Sequence, residues 1–141
     1  MKRITVLLAD DNRIARQEFR KILERETDLE VIGEAKDGRL ALSMAIKLLP
    51  AVILMDITMP HLNGLEATCQ ILKAFPATKV LMLSVHSDEA YIKEAFKSGA
   101  MGYLLKHTAA DGVCAAIREV HRRKCGTLSP RTESGRAARR N

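Results

Sequence analysis

The sequence predicts an alternating α/β domain built on a five-stranded parallel sheet. Three observations carry that prediction. Five short apolar runs recur along the chain, segments with helical spacing separate them, and the residues that follow the runs are unusually rich in chemistry. The runs are Ile4–Ala9, Glu30–Glu34, Ala51–Met55, Lys79–Val85 and Met101–Leu105. Most are nearly continuous in apolar residues, as expected of strands covered on both faces. The second is the weakest, because Val31-Ile32-Gly33 is brief.

Between the runs, apolar residues recur at three- and four-residue steps. The first segment shows Ile14, Phe19, Ile22 and Leu23, and the next Leu40, Ala41, Met44, Ala45 and Leu48. Leu65, Thr68, Cys69 and Leu72 follow, then Tyr91, Ile92, Ala95 and Phe96. The last helix presents Val113, Ala116, Ile117 and Val120. Ser87 before Asp88-Glu89 and Thr108 before Asp111 are expected to cap helices with acidic first turns. Gly99 is expected to stop one. Strand–helix alternation of this kind implies right-handed crossovers and a sheet between two helical layers.

Composition narrows the class. At 141 residues, 47% hydrophobic and 28% charged, the chain has the make-up of one soluble domain, and 3 cysteines exclude a disulfide scaffold. Met1-Lys2-Arg3 followed by Ile4–Ala9 imitates a signal peptide, but six apolar residues running into Asp10-Asp11 are too few. No stretch approaches the roughly 18 apolar residues of a membrane span, so a cytoplasmic protein without membrane contact is expected. The net charge of +6 is concentrated at one end. Residues 1–117 carry 15 basic and 15 acidic side chains, whereas 118–141 carry 8 and 2. The basicity therefore belongs to the last helix and tail, not to the folded body, and only that end would suit a polyanion. Residues 1–123 are expected to form the domain, and 124–141 a linker or disordered basic tail.

In open α/β sheets, chemistry occurs beyond the carboxyl ends of the strands. Asp10-Asp11 follow the first run, Asp56 the third, Ser84 ends the fourth, and Lys106 follows the fifth. Three carboxylates from neighbouring strand ends repel one another unless one is protonated or a divalent cation is held between them. Oxygen ligands with room for water suit Mg²⁺. With a cation present, one Asp stays ionised as a nucleophile towards phosphorus, while Lys106 and the Ser84 hydroxyl face the phosphoryl oxygens. Each residue alone is more often structural: a strand-end Asp is commonly a helix cap, and Asp10-Asp11 would serve a helix beginning near Asn12. Their joint placement is the signal.

The chain resembles a response-regulator receiver domain of two-component signalling. The resemblance runs from residue 3 to about 123. It rests on Leu7-Leu8-Ala9-Asp10-Asp11, Met55-Asp56-Ile57-Thr58-Met59-Pro60 with Gly64, Leu83-Ser84, and Gly102-Tyr103-Leu104-Leu105-Lys106. Ser98 to Lys106 and Gly126-Thr127-Leu128-Ser129-Pro130 are similar to the NarL/LuxR-type branch, in which a helix-turn-helix domain usually follows the receiver. The resemblance implies a flavodoxin-like, doubly wound sheet of order 2-1-3-4-5 flanked by five helices. It implies Asp56 as phosphoacceptor for a sensor histidine kinase, with Mg²⁺ held by Asp10, Asp11, Asp56 and the backbone carbonyl of Thr58. Ser84 and Lys106 engage the phosphoryl group, and Ser84 and Tyr103 form the switch. When Ser84 moves towards a phosphoryl oxygen, it vacates space that the Tyr103 ring can enter. The fourth helix, fifth strand and fifth helix form the family's usual output face, and a homodimer on activation is in keeping with the branch.

The expected protein is thus a regulator rather than an enzyme in its own right. Only self-catalysed phosphotransfer and slow autodephosphorylation are foreseen, and DNA is reached only through an output domain not contained in this chain. A natural stand-alone regulator acting by protein contact is the alternative. A haloacid-dehalogenase-like phosphatase fits less well, because Asp10-Asp11-Asn12-Arg13 lacks a nucleophile and acid two residues apart. Nucleotide-binding glycine patterns are missing. His107 stands where the family often has Pro, which leaves the Lys106–His107 peptide geometry open. His61, His86, His107 and His121 match no metal motif; Thr58 and His86 lie where they would tune water access to the phosphoryl group. Cys69, Cys114 and Cys125 are expected to be reduced thiols.

Overall fold

The structure is a computed structural model and describes residues 2–123. The tail expected over 124–141, the Gly126–Pro130 junction and Cys125 lie outside the described residues. Strands β1 (Ile4–Ala9), β2 (Leu29–Ala35), β3 (Val52–Met55), β4 (Lys79–Ser84) and β5 (Gly102–Leu105) alternate with helices α1 (Arg13–Glu24), α2 (Gly38–Leu48), α3 (Gly64–Ala74), α4 (Glu89–Lys97) and α5 (Val113–Arg122). All strand pairs are parallel, in the order β2-β1-β3-β4-β5. The expected architecture is therefore observed.

The continuous apolar runs are explained by two cores. Side chains alternate across a strand, so Val6 and Leu8 point to one face and Leu7 and Ala9 to the other. On the first face Val52, Leu54, Leu81 and Leu83 join Phe19 and Leu23 of α1 and Val113, Ile117 and Val120 of α5. On the second, Ile53, Met55, Val80 and Met82 meet Ala41 and Ala45 of α2, Ala67 and Ile71 of α3, and Ala95 of α4. Small residues on that side let the helices lie close to the sheet. Each fully buried Leu, Ile, Val or Met contributes about 1.5–3 kcal/mol relative to exposure. β2 is an edge strand, which accounts for its weaker pattern. Its register against β1 shifts between Val6 and Leu7, whose partners are Val31 and Gly33.

Helix starts follow side-chain caps where an Asn or Asp reaches back. Asn12 accepts from the Ala15 amide, Asp37 from Leu40 and Asn63 from Glu66. Of the two expected caps, one is displaced by a residue and the other, Thr108, sits at the N-cap of a shorter element without a side-chain cap bond. Asp88, not Ser87, occupies the N-cap of α4, in an extended conformation and without a side-chain bond. Thr108 precedes a short 3₁₀ turn (Ala109–Asp111), and its hydroxyl donates to the Leu105 carbonyl at 3.4 Å. α5 starts only after Gly112, because that turn intervenes. Gly99, at φ 111°, does end α4 as expected. A Cβ there would also lie 2.4 Å from Leu72 Cδ1.

Candidate functional site

The register of the central strands builds the site. β1 and β3 pair with Ala9 opposite Met55, so the next residues, Asp10 and Asp56, emerge side by side. The Asp56 amide donates to the Ala9 carbonyl at 2.8 Å, and the Asp10 amide to the Ala35 carbonyl at 2.9 Å. α1 is capped by Asn12, which leaves the Asp11 side chain exposed and uninvolved in the cap. Carboxylate oxygens of Asp10, Asp11 and Asp56 lie within 4.8 Å of one another. Asp10 and Asp56 are buried.

Lys106 reaches this cluster from β5. Its amide donates to the Ser84 carbonyl at 2.7 Å, which fixes its backbone beside β4. Its Nζ sits 2.8 Å from Asp10 Oδ2 and 3.6 Å from Asp56 Oδ2. Burial penalises the ammonium, but the bond to Asp10 and the charge of Asp56 outweigh it and raise its pKa. Lys106 is thus a firm cation. Burial, then the neighbouring Asp10 charge, push the Asp56 carboxyl up to about 7; Lys106 offsets part of this and Asp11 adds to it. Three carboxylates against one ammonium leave an excess of negative charge, carried by hard oxygen donors. That donor set fits a divalent cation such as Mg²⁺. The Lys106–His107 peptide is trans.

Local backbone shape also depends on Gly64. A Cβ at this position would lie 1.9 Å from the Asp56 carbonyl oxygen, and its amide donates to the Ile57 carbonyl at 2.7 Å. Any side chain here displaces the peptide that carries Asp56.

Ser84 and Tyr103 interact directly through their side chains and are also linked through His86. The fully buried Ser84 accepts from the His86 amide at 3.0 Å, and the Tyr103 hydroxyl donates to the His86 carbonyl at 2.7 Å. Burial raises the Tyr103 pKa, so the phenol keeps its proton and remains a donor. The His86 ring stacks on Tyr91 of α4, with centroids 3.9 Å apart and planes 5° from parallel. Its Nε2 lies 3.2 Å from Thr58 Oγ1, on the loop that follows Asp56. The two residues expected to govern water access therefore touch each other.

Asp10, Asp11, Asp56 and Lys106 are brought together directly, and Ser84 joins them through the sheet. Thr58 and Tyr103 reach the site by way of His86, and Tyr103 also through Ser84 itself. Two features carry little signal in the sequence. Tyr91 reads only as part of a helix face. Arg16, paired with Glu34 and bonded to the Asp10 carbonyl, leaves only a faint trace, an arginine pair at positions 16 and 20 and one of the two acidic residues in β2.

A family model described as the response regulator receiver domain matches residues 6–118. The transcriptional regulatory protein DegU of Brevibacillus brevis is 42% identical over 118 residues, covering 84% of this chain and 50% of that protein. The oxygen regulatory protein NreC of Staphylococcus carnosus is 37% identical over 118 residues, covering 83% and 54%. The chain thus spans about half the length of these relatives. Among solved structures, the response regulator domain of Thermotoga maritima CheB superposes with a TM-score of 0.82 at 34% identity, covering 87% of this chain and 99% of that one. The receiver domain of the putative response regulator NarL from Mycobacterium tuberculosis gives 0.82 at 27% identity, covering 88% and 100%. These matches extend over the sheet and all the strand ends that build the acidic cluster, and the chain belongs to the receiver domains of two-component response regulators, in their NarL/LuxR-type branch.

Proposed function

We propose that this domain is a phosphorylation-controlled switch in which Asp56 accepts a phosphoryl group from the phosphohistidine of a sensor kinase. The observation that carries this reading is the convergence of three carboxylates and Lys106 at one sheet edge. Asp10, Asp11, Asp56 and the Thr58 carbonyl would hold Mg²⁺. Bound there, the ion supplies positive charge that keeps Asp56 ionised and neutralises phosphoryl oxygens.

An Asp56 carboxylate oxygen attacks phosphorus as the P–N bond breaks, and the departing imidazole nitrogen keeps the electron pair and takes up a proton from solvent. Lys106, already cationic and close to Asp56, pairs with the phosphoryl oxygens once the Asp56 charge is spent in the new bond. Ser84 then donates its hydroxyl to one of them. The Ser84 oxygen still accepts from the His86 amide as its hydroxyl turns, so the movement is passed to His86, whose carbonyl anchors Tyr103, and the phosphoryl signal has a route to the surface at β5 and α4. About 1.4 kcal/mol of differential interaction is needed for each tenfold shift between two surface arrangements.

The output is proposed to be a DNA-binding domain in a longer transcription regulator, since the relatives are named as transcriptional regulators and are about twice as long. Residues 1–123 would then be the receiver and 124–141 the connecting segment. Homodimerisation on activation and a cytoplasmic setting belong to the same reading; no helix among the described residues is long and apolar enough to cross a membrane. Incubation with acetyl phosphate and Mg²⁺ should add one phosphoryl group by intact mass, and Asp56→Asn should abolish it. Full labelling of that variant overturns the assignment.

A further inference from the structure

Asp10 is held on four sides. Its amide is fixed by Ala35, its Oδ1 accepts from the Asn12 amide at 2.8 Å, and its Oδ2 faces Lys106. The fourth partner is Arg16, whose Nη1 donates to the Asp10 carbonyl at 2.6 Å. Of the two side chains in this set, Lys106 takes part in the phosphoryl chemistry and Arg16 does not.

Arg16 is itself locked. Its Nε donates to Glu34 Oε1 at 3.0 Å, while Glu34 Oε2 accepts from Arg20 Nη1 at 2.7 Å and Arg20 Nε donates to Glu24 at 2.9 Å. Residues 16 and 20 stand one helical turn apart on α1, so both reach the same acid. Glu34 pairs in register with Leu8, two residues before Asp10. The guanidinium is therefore oriented from the edge strand, by a planar fork that can serve two acceptors at once.

The space behind Asp10 gives that bond its importance. Asp10 and Arg16 themselves, with apolar neighbours such as Leu8, Phe19, Leu54 and Leu83, line a cavity of about 10 Å³ there, the room of a single water. Packing behind the Asp10 peptide is incomplete on this side, and the Arg16 bond is the directed contact that spans it. We infer that Arg16, locked by Glu34, is a positioning residue that sets the Asp10–Asp11 backbone for a divalent cation. The inference rests on the metal-dependent reading above. Mg²⁺ demands near-octahedral geometry, whereas Ca²⁺ tolerates irregular ligand sets. Loss of the Arg16 bond should therefore penalise Mg²⁺ more than Ca²⁺.

The test is calorimetric titration of the full 141-residue chain with MgCl₂ and CaCl₂, with urea unfolding and acetyl phosphate labelling alongside. Arg16→Met should weaken Mg²⁺ binding about tenfold, the low end of what ligand-orienting partners contribute, and Ca²⁺ binding by less than about threefold. Glu34→Ala should approach the same loss, and Glu34→Gln, which keeps an acceptor for Nε, should recover most of it. The double variant Arg16→Met/Glu34→Ala should be no worse than the weaker single one. Mg²⁺ affinity within about twofold of wild type in a folded Arg16→Met protein overturns the inference. So does an equal loss for both ions that merely follows the urea midpoint. A wild-type protein that binds Mg²⁺ but takes no label overturns the phosphoacceptor reading and leaves the role of Arg16 standing; one that binds no Mg²⁺ overturns both.

Discussion

Replacing the phosphoacceptor should make the metal-free protein more stable. Burial and the neighbouring carboxylates move the Asp56 carboxyl from its ordinary 3.8 to about 7. Because the folded value is the higher one, the associated stability is complete below about pH 4 and is lost as the pH rises through 7. The full shift corresponds to about 4 kcal/mol at about 1.4 kcal/mol per pKa step. Water at the mouth of the site, on the side of exposed Asp11, screens part of this, leaving about 2 kcal/mol. Asp56→Asn removes the charge while keeping the shape. In EDTA its urea midpoint should match wild type at or below about pH 4 and exceed it at about pH 8 by the equivalent of about 2 kcal/mol. Saturating Mg²⁺ should shrink the gap, since the ion stabilises the ionised wild-type site and has less to gain from the amide. An advantage independent of pH, or a variant less stable than wild type on the alkaline side, would refute the electrostatic account of the cluster.

Three further outcomes follow from particular contacts. Gly64→Ala should cost about 2 kcal/mol or more and slow acetyl phosphate labelling, because its Cβ collides with the Asp56 carbonyl; equal labelling rates and denaturation midpoints would contradict that. Burial would raise the Glu34 carboxyl, but hydrogen bonds from Arg20 and Arg16 prevail and hold it below its ordinary 4.5. The stability it contributes, about 1 kcal/mol, is present above pH 4.5 and disappears as the pH falls through the lowered value. Glu34→Gln should flatten that part of the acid unfolding curve. His86→Ala removes the ring stacked on Tyr91 and touching Thr58, and with it a cover over the loop after Asp56. The phosphorylated variant should decay several-fold faster by mass spectrometry, and an unchanged lifetime would count against water control by this pair.

The acidic cluster is legible in the amino-acid order because its members are punctuation marks of a regular fold. A parallel strand buried on both faces must read as an apolar run, and chemistry must sit where the run stops. Asp10-Asp11, Asp56, Ser84 and Lys106 are found that way. The caps are less legible. An N-cap depends on which residue turns extended at the helix start, and Asp88 rather than Ser87 does so. A 3₁₀ turn displaces the start of α5 in the same manner.

The alternation of elements and the residue types at each strand end thus follow from the chain alone, since both depend on fixed spacings within one strand or helix. Packing in three dimensions decides how far Asp56 is shifted, which atoms Lys106 faces, and that His86 binds Thr58, Tyr91, Ser84 and Tyr103 into one unit. It also brings Arg16 across to Glu34 and back to the Asp10 carbonyl. Those relations join residues far apart in the chain and depend on sheet register and on how helices lie over strands, and local periodicity carries no information about either.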